Sequence, residues 1–231
     1  MRWQVVNVFN ETLNTLGKKI EKIGVLGGSS ADPEVAVIKR TYPEASITYL
    51  GIDNYGAEEN WENLDLNYRQ EKHIQYDLVV CSQVLEHLWN LSSAFESISK
   101  LTKINGFIWI NCPTSNIEHG SPSYYSAGYS PDYLKMNFEK FHFLTLISDC
   151  IGSERYYKAT HLLRHWSTEA EHKRPVTGYR ISNGVTLGKI KELILRIPGR
   201  LLMLTWSKSI SQNLQYATET YYFGQKTQDY L

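Results

Sequence analysis

Apolar residues recur with a helical period near the start of the chain. Val5, Val8, Phe9, Thr12, Leu13, Leu16 and Ile20 form one stripe, which predicts a helix over residues 5–22 that Gly17 weakens or ends. The pattern then breaks into short apolar runs. Residues 23–26 (Ile-Gly-Val-Leu) read as a strand entering Gly27-Gly28-Ser29-Ser30. Asp32 as N-cap, with Pro33 at the first helical position, starts a helix to about Thr41. Residues 46–52 predict a strand ending at Asp53, and residues 63–66 a strand carrying Asp65. Residues 76–81 form an apolar run after the opening Tyr76-Asp77, as expected of a strand covered on both faces, and residues 107–112 read as another buried strand. Between them, Ser93 and Glu96 read as a capping box for a helix lined by Ala94, Ile98 and Leu101, and Asn105-Gly106 as a turn. Ser130-Pro131-Asp132 opens another helix, to about Phe138, and residues 217–226 alternate like an edge strand.

Strands alternating with helices imply an α/β fold with a doubly wound, mostly parallel sheet. Ligands of such sheets bind outside the carboxyl ends of the strands. Those ends are Gly27-Gly28-Ser29, Asp53, Asp65, Ser82-Gln83 and Pro113-Thr114. Glycines admit a tight turn and close approach of a ligand, and a carboxylate at the next strand end can accept both hydroxyls of a ribose. No Gly-x-x-x-x-Gly-Lys-Ser/Thr loop is present, which disfavours a nucleotide triphosphatase. Asp32 at the following helix start is a poor neighbour for a pyrophosphate, so the tips favour a nucleoside ligand without a diphosphate.

Composition narrows the partners. Twenty-four basic residues balance 24 acidic ones, which argues against a nucleic-acid partner. A hydrophobic content of 42% supports a core within one domain of 231 residues. Cys81, Cys112 and Cys150 are odd in number and far apart, so they read as buried thiols of a reducing, cytoplasmic setting. No apolar run is long enough for a transmembrane span.

The stretch Tyr76-Asp77-Leu78-Val79-Val80-Cys81-Ser82-Gln83-Val84-Leu85-Glu86-His87-Leu88 resembles the central motif of class I S-adenosylmethionine-dependent methyltransferases, in which a fourth strand opens with an acid and ends in Val-Leu-Glu-His. Residues 101–113 resemble the helix, turn and fifth strand that follow in that family. The resemblance covers residues 23–113. It implies a Rossmann-like seven-stranded sheet with an antiparallel last strand, a helical acceptor-side insertion and S-adenosylmethionine as cofactor. It divides one domain, 1–231, into a cofactor half (23–113), an acceptor side (114–215) and a final strand (216–227). Residue by residue, it implies that Gly27, Gly28 and Ser29 pass beneath the methionine and ribose part. Asp53 would hold the ribose hydroxyls, Asp65 and the Leu66 backbone would face the adenine, and Ser82 and Gln83 would lie along the methionine portion. Glu86 and His87 would begin a helix beside the acceptor. The chain departs from the family at Val25, where an acid is usual, and at Ser29 and Ala31, where glycines are usual.

A base is needed if the acceptor is an alcohol, and histidine suits neutral pH. His87 and His119 lie nearest the tips; His87 admits a structural role and His119 a solvated one. Residues 123–131 are rich in tyrosine, which suits a ring-stacking pocket for a small polar molecule or a glycan, or a cover for the sheet edge. His161 and His165 lack the carboxylate pattern of a metal site, and no metal is expected. Lys189, Lys191, Arg196 and Arg200 stand among apolar residues in a segment that fits core cover, a dimer helix or peripheral membrane contact, so monomer and homodimer both stay open. The expectation is O-methylation of a small polar or carbohydrate acceptor. The alternatives are a methyltransferase-like binding or scaffold protein with a weakened cofactor loop, and a nicotinamide-linked enzyme.

Overall fold

The apolar runs separated by Gly, Pro and Asn become the strands, and the periodic stretches become the helices that cover them. The computed structural model describes residues 3–54, 56–69, 74–115, 123–152 and 217–229. In chain order these form α1 (Trp3–Leu16), β1 (Lys22–Leu26), α2 (Pro33–Thr41), β2 (Ser46–Gly51), β3 (Trp61–Asn63) and β4 (Tyr76–Ser82). A single 3-10 turn (Leu85–His87) follows, then α3 (Leu91–Leu101), β5 (Thr102–Pro113), α4 (Pro131–Lys140), β6 (Phe143–Gly152) and β7 (Ala217–Lys226).

The strands build one seven-stranded sheet in the order β3-β2-β1-β4-β5-β7-β6. The first five pair in parallel, and β7 lies antiparallel to both β5 and β6. Side chains alternate across the sheet. Leu78, Val80 and Trp109 pack with Val5, Phe9 and Leu13 of α1 and Val35 and Ile38 of α2. Val79, Cys81, Ile108 and Ile110 face the other way, onto Phe95 and Ile98 of α3 and Leu134 and Phe138 of α4. Both faces are thus covered, which is why the β4 and β5 sequences carry no polar alternation. Cys81, Cys112 and Cys150 are buried thiols, none of them in a disulfide. Among the described residues no helix is long and apolar enough to cross a membrane.

Several expectations need correction. The first helix stops at Leu16, because Gly17 takes φ +60 and ends it, although Ile20 still packs in the core. The capping box at Ser93 and Glu96 does not form. Asn90 caps α3, its side chain accepting from the Ser93 N–H at 3.3 Å, and Glu96 bonds Lys100 instead. The third strand is Trp61–Asn63, so Asp65 lies beyond it rather than in it. No turn separates α3 from β5. Asn105, at φ +64, and Gly106 lie in a bulge of β5, where the pairing jumps from Tyr76–Thr102 to Leu78–Phe107. Finally, β7 is an interior strand, buried along nearly its whole length. The edge on that side of the sheet is β6, which the pattern did not predict and which leaves Leu144 and Leu146 exposed.

Candidate functional site at the carboxyl ends of the strands

From β1 the chain winds outward through β2 to β3, and from β4 the other way to β5, so the strand order reverses between β1 and β4. A crevice opens at such a switch point. Here it is a cleft of about 640 Å³, lined by Gly27, Asp65, Leu66, Gln83 and His87 among others. That volume lies within the range of about 300–1,000 Å³ typical of small-molecule sites.

Gly27 adopts φ +65, and a Cβ on it would stand 2.6 Å from Val84 Cγ2, so only glycine fits. Its N–H donates to the Leu50 carbonyl at 2.7 Å, which fixes the β1 tip beside β2. Asp65 Oδ1 accepts from the Asn67 backbone N–H at 2.9 Å. Asn67 Oδ1 in turn accepts from the Trp89 and Asn90 backbone N–H groups, at 2.9 and 3.2 Å, which clips the Asp65 wall to the segment after β4. Ile52, Trp89 and Tyr125 rim the opening with more than half of each side chain exposed.

Gln83 ends β4 in a left-handed conformation, φ +57. Its Nε2 donates to Asn111 Oδ1 at 2.9 Å and to Glu219 Oε2 at 2.8 Å. Asn111 Nδ2 donates to the same Glu219 oxygen at 3.2 Å and to the Thr220 carbonyl at 3.0 Å. Every amide orientation in this chain is set by an acceptor that cannot donate.

Glu86 is fully buried beside this network, and among the described residues neither carboxyl oxygen finds a hydrogen-bond partner. Burial pushes its pKa up to about 8, with the Glu219 charge adding to the effect. His87 Nδ1 lies 2.5 Å from the Ser123 carbonyl oxygen. A carbonyl only accepts, so Nδ1 carries the proton and a neutral ring keeps its lone pair on Nε2, 4.0 Å from Glu86 Oε1.

The sequence-derived residues therefore divide. Gly27, Asp65, Leu66, Gln83 and His87 share the cleft. Gly28 and Ser82 instead line a small space behind the β1 tip with Val25, Asp32 and Glu34. Ser29 is held by its backbone N–H on Asp32 Oδ2 at 2.7 Å, and Asp53 is exposed beyond β2. Glu86 and His87 sit in an isolated 3-10 turn rather than at a helix start, since α3 begins only at Leu91. His119, His161, His165 and the Lys189–Arg200 segment lie outside the described residues. Sequence reasoning missed Asn67, Asn111 and Glu219. Asn111 had a visible signal, as the one polar residue in the apolar run 107–112.

The architecture is that of the class I S-adenosylmethionine-dependent methyltransferases. No protein-family model matches the sequence, and no curated protein matches it. Solved structures match the fold at low identity. Coclaurine N-methyltransferase bound to N-methylheliamine and S-adenosylhomocysteine aligns at a TM-score of 0.56 and 11% identity, over 97% of this chain and 70% of that one. A SAM-dependent methyltransferase from Archaeoglobus fulgidus aligns at 0.54 and 14%, over 98% and 95%. The [4+2]-cyclase SpnF aligns at 0.54 and 11%, over 96% and 80%, so the same fold also serves a different reaction.

Proposed function

We propose that this protein is an S-adenosylmethionine-dependent methyltransferase acting on a small polar or carbohydrate acceptor by O-methylation. The observation that carries this reading is the cleft at the β1/β4 switch point, where a glycine that tolerates no Cβ, a carboxylate, an oriented amide and an imidazole face one volume. The donor set fits the cofactor, since Gly27 leaves room for close approach and Asp65 offers an acceptor for a base or sugar. When bound, the cofactor supplies an electrophilic methyl group on a sulfonium.

In this reading Gly27 forms the floor, with Gly28, Ser29 and Ser82 supporting it from behind, Asp65 and Leu66 take the adenine, Gln83 follows the methionine part, and Asp53, beyond β2, takes the ribose. His87 is the base. Its Nδ1 proton is engaged by Ser123, so taking a proton from an acceptor hydroxyl falls to Nε2. Glu86 stands behind it, and His119 is a second candidate to touch the acceptor. The chain acts as one cytoplasmic domain, with residues 23–113 serving the cofactor, 114–215 the acceptor and 216–227 closing the sheet.

Calorimetric titration of the full chain with S-adenosylmethionine tests the reading: saturable binding that Asp65→Ala weakens supports it, and a folded protein that binds nothing overturns it. A second reading, a binding protein without turnover, draws on the β1 tip. Asp32 fills the space beside Gly28, its Oδ2 standing 2.8 Å from where a Cβ would lie. Binding without methyl transfer to any of a panel of hydroxylated acceptors would favour it.

A further inference from the structure

One half-buried side chain, Asn67, ties the turn after β3 to the segment after β4. Asn67 lines the cleft together with Asp65, Leu66 and Trp89. Its Oδ1 accepts from the backbone N–H groups of Trp89 and Asn90, 22 and 23 positions later, at 2.9 and 3.2 Å. Its backbone carbonyl accepts from Asn90 Nδ2 at 3.0 Å, and Asn90 is the cap of α3. Three hydrogen bonds therefore fix Asn67 to the start of that helix.

The other end of the same amide meets Asp65. Nδ2 donates to Asp65 Oδ1 at 3.0 Å, and the Asn67 backbone N–H donates to the same oxygen at 2.9 Å. The amide cannot be reversed, because backbone N–H groups only donate and an ionised carboxylate only accepts. Two donors on one oxygen fill its two lone-pair directions and so set the plane of the carboxylate. A local turn accounts for the backbone bond, since aspartate commonly accepts from the N–H two residues on. It does not account for the Nδ2 bond, whose donor is held in place by Trp89 and Asn90. A carboxylate at a cleft wall accepts from an amino group on the edge of a planar base and repels the lone pairs of an oxo group there. Such discrimination is sharp only when the carboxylate is held in one orientation before the ligand arrives.

We propose that Asn67 is a positioning residue that holds the Asp65 carboxylate in one orientation, and through it sets the cleft's preference for a base bearing an amino group over one bearing an oxo group. The inference rests on the proposed function, which puts the adenine at Asp65, and adds the residue that decides how strictly the base is read.

Calorimetric titration of the full chain with S-adenosylhomocysteine and with S-inosylhomocysteine reads this directly, since the two ligands differ only at the base edge, amino against oxo. Wild-type protein is expected to prefer the adenosyl ligand by about tenfold or more. Asn67→Asp keeps an oxygen for the Trp89 and Asn90 N–H groups but sets a carboxylate oxygen against Asp65 in place of the donor. It is expected to bring the preference close to unity. In an Asp65→Ala background, where the preference is already lost, Asn67→Asp is expected to change the ratio no further. Asn67→Ala removes the Nδ2 donor without adding charge, is expected to lower the preference in the same direction, and supplies the test if Asn67→Asp fails to fold. A ratio that these variants leave unchanged, or that falls equally in the Asp65→Ala background, overturns the inference and leaves the methyltransferase reading intact. Wild-type protein that binds both ligands equally does the same. Wild-type protein that binds neither overturns both.

Discussion

The ammonium of Lys226, at the end of β7, lies 2.8 Å from the carbonyl oxygen of Ser99 near the end of α3. It also donates to the Thr102 carbonyl at 3.0 Å and to Asp229 Oδ1 at 2.8 Å, and the residue is only 1% exposed. The last carbonyls of a helix have no partner within it, and a cation there also complements the helix dipole. One buried lysine thus ties the strand that carries Glu219 to the helix behind the cleft. Lys226→Met keeps the stem and deletes the donor, and should cost about 2–3 kcal/mol in denaturant unfolding. An unchanged midpoint would refute this role.

Asp77 performs a similar task at the same end of the sheet, at the start of β4. Its Oδ2 accepts from the Glu21 and Lys22 backbone N–H groups at 2.9 and 2.8 Å, and its Oδ1 meets Lys103 Nζ at 2.5 Å. Burial opposes ionisation, but these donors outweigh it and hold the carboxyl below its usual pKa. A depressed folded pKa contributes stability that is present above the unfolded value and lost as pH falls through the folded one. Asp77→Asn should therefore lower the melting temperature at pH 7, with the gap to wild type closing as the pH is taken below about 4. A gap that persists in acid would assign the effect to packing.

Glu86 has the opposite sign. Its pKa of about 8 exceeds that of a free carboxyl, so the folded state binds the extra proton between these values. Stability is then fully present in acid and declines as pH rises toward 8. Glu86→Gln, already neutral, should be more stable than wild type at pH 7 by an amount on the order of 3 kcal/mol, and equal to it below about pH 4. Parallel stability–pH curves for the two proteins would show that the carboxyl is not held neutral.

Gly27→Ala tests the β1 tip. The substitution meets both an unfavourable positive φ and the Val84 methyl. Loss of about 1–3 kcal/mol of stability is expected, together with loss of S-adenosylmethionine binding in calorimetry. Adding Val84→Ala removes the clash but not the backbone strain, so it should restore only part of the stability.

His87→Gln should leave cofactor affinity within error, because the base acts on the acceptor, and should lower kcat by about 10²-fold or more. Retained kcat would reduce His87 to the structural role that its contact with Ser123 also permits.

Much of the sheet was legible along the chain. β4 and β5 announced themselves because strands buried on both faces must be continuously apolar, and α2 and α4 because Asp32-Pro33 and Ser130-Pro131 are local start signals. The capping box at Ser93 failed for an equally local reason: Asn90, three residues earlier, reaches the Ser93 N–H first. The edge-strand reading of residues 217–226 failed for a non-local one. Polar residues such as Thr218 and Glu219 imply solvent in a one-dimensional pattern, yet they are buried between β5 and β6 and satisfied there. Asp65, Leu66, Gln83 and His87 were identifiable as tip residues, whereas Asn67 gave no sign of its bonds to Trp89 and Asn90.

Local chemistry by itself determined most of the order of elements, β6 excepted, the glycine-rich tip after β1, and the class of fold that this order implies, because hydrophobic period and capping act over a few residues. Tertiary structure alone decided which polar groups meet. Gln83 and Glu219 are separated by 136 positions, and only the antiparallel insertion of β7 beside β5 sets the carboxylate under the amide. A hydrogen bond between distant residues leaves no period to read, so this contact at the cleft became visible only when the sheet closed around it.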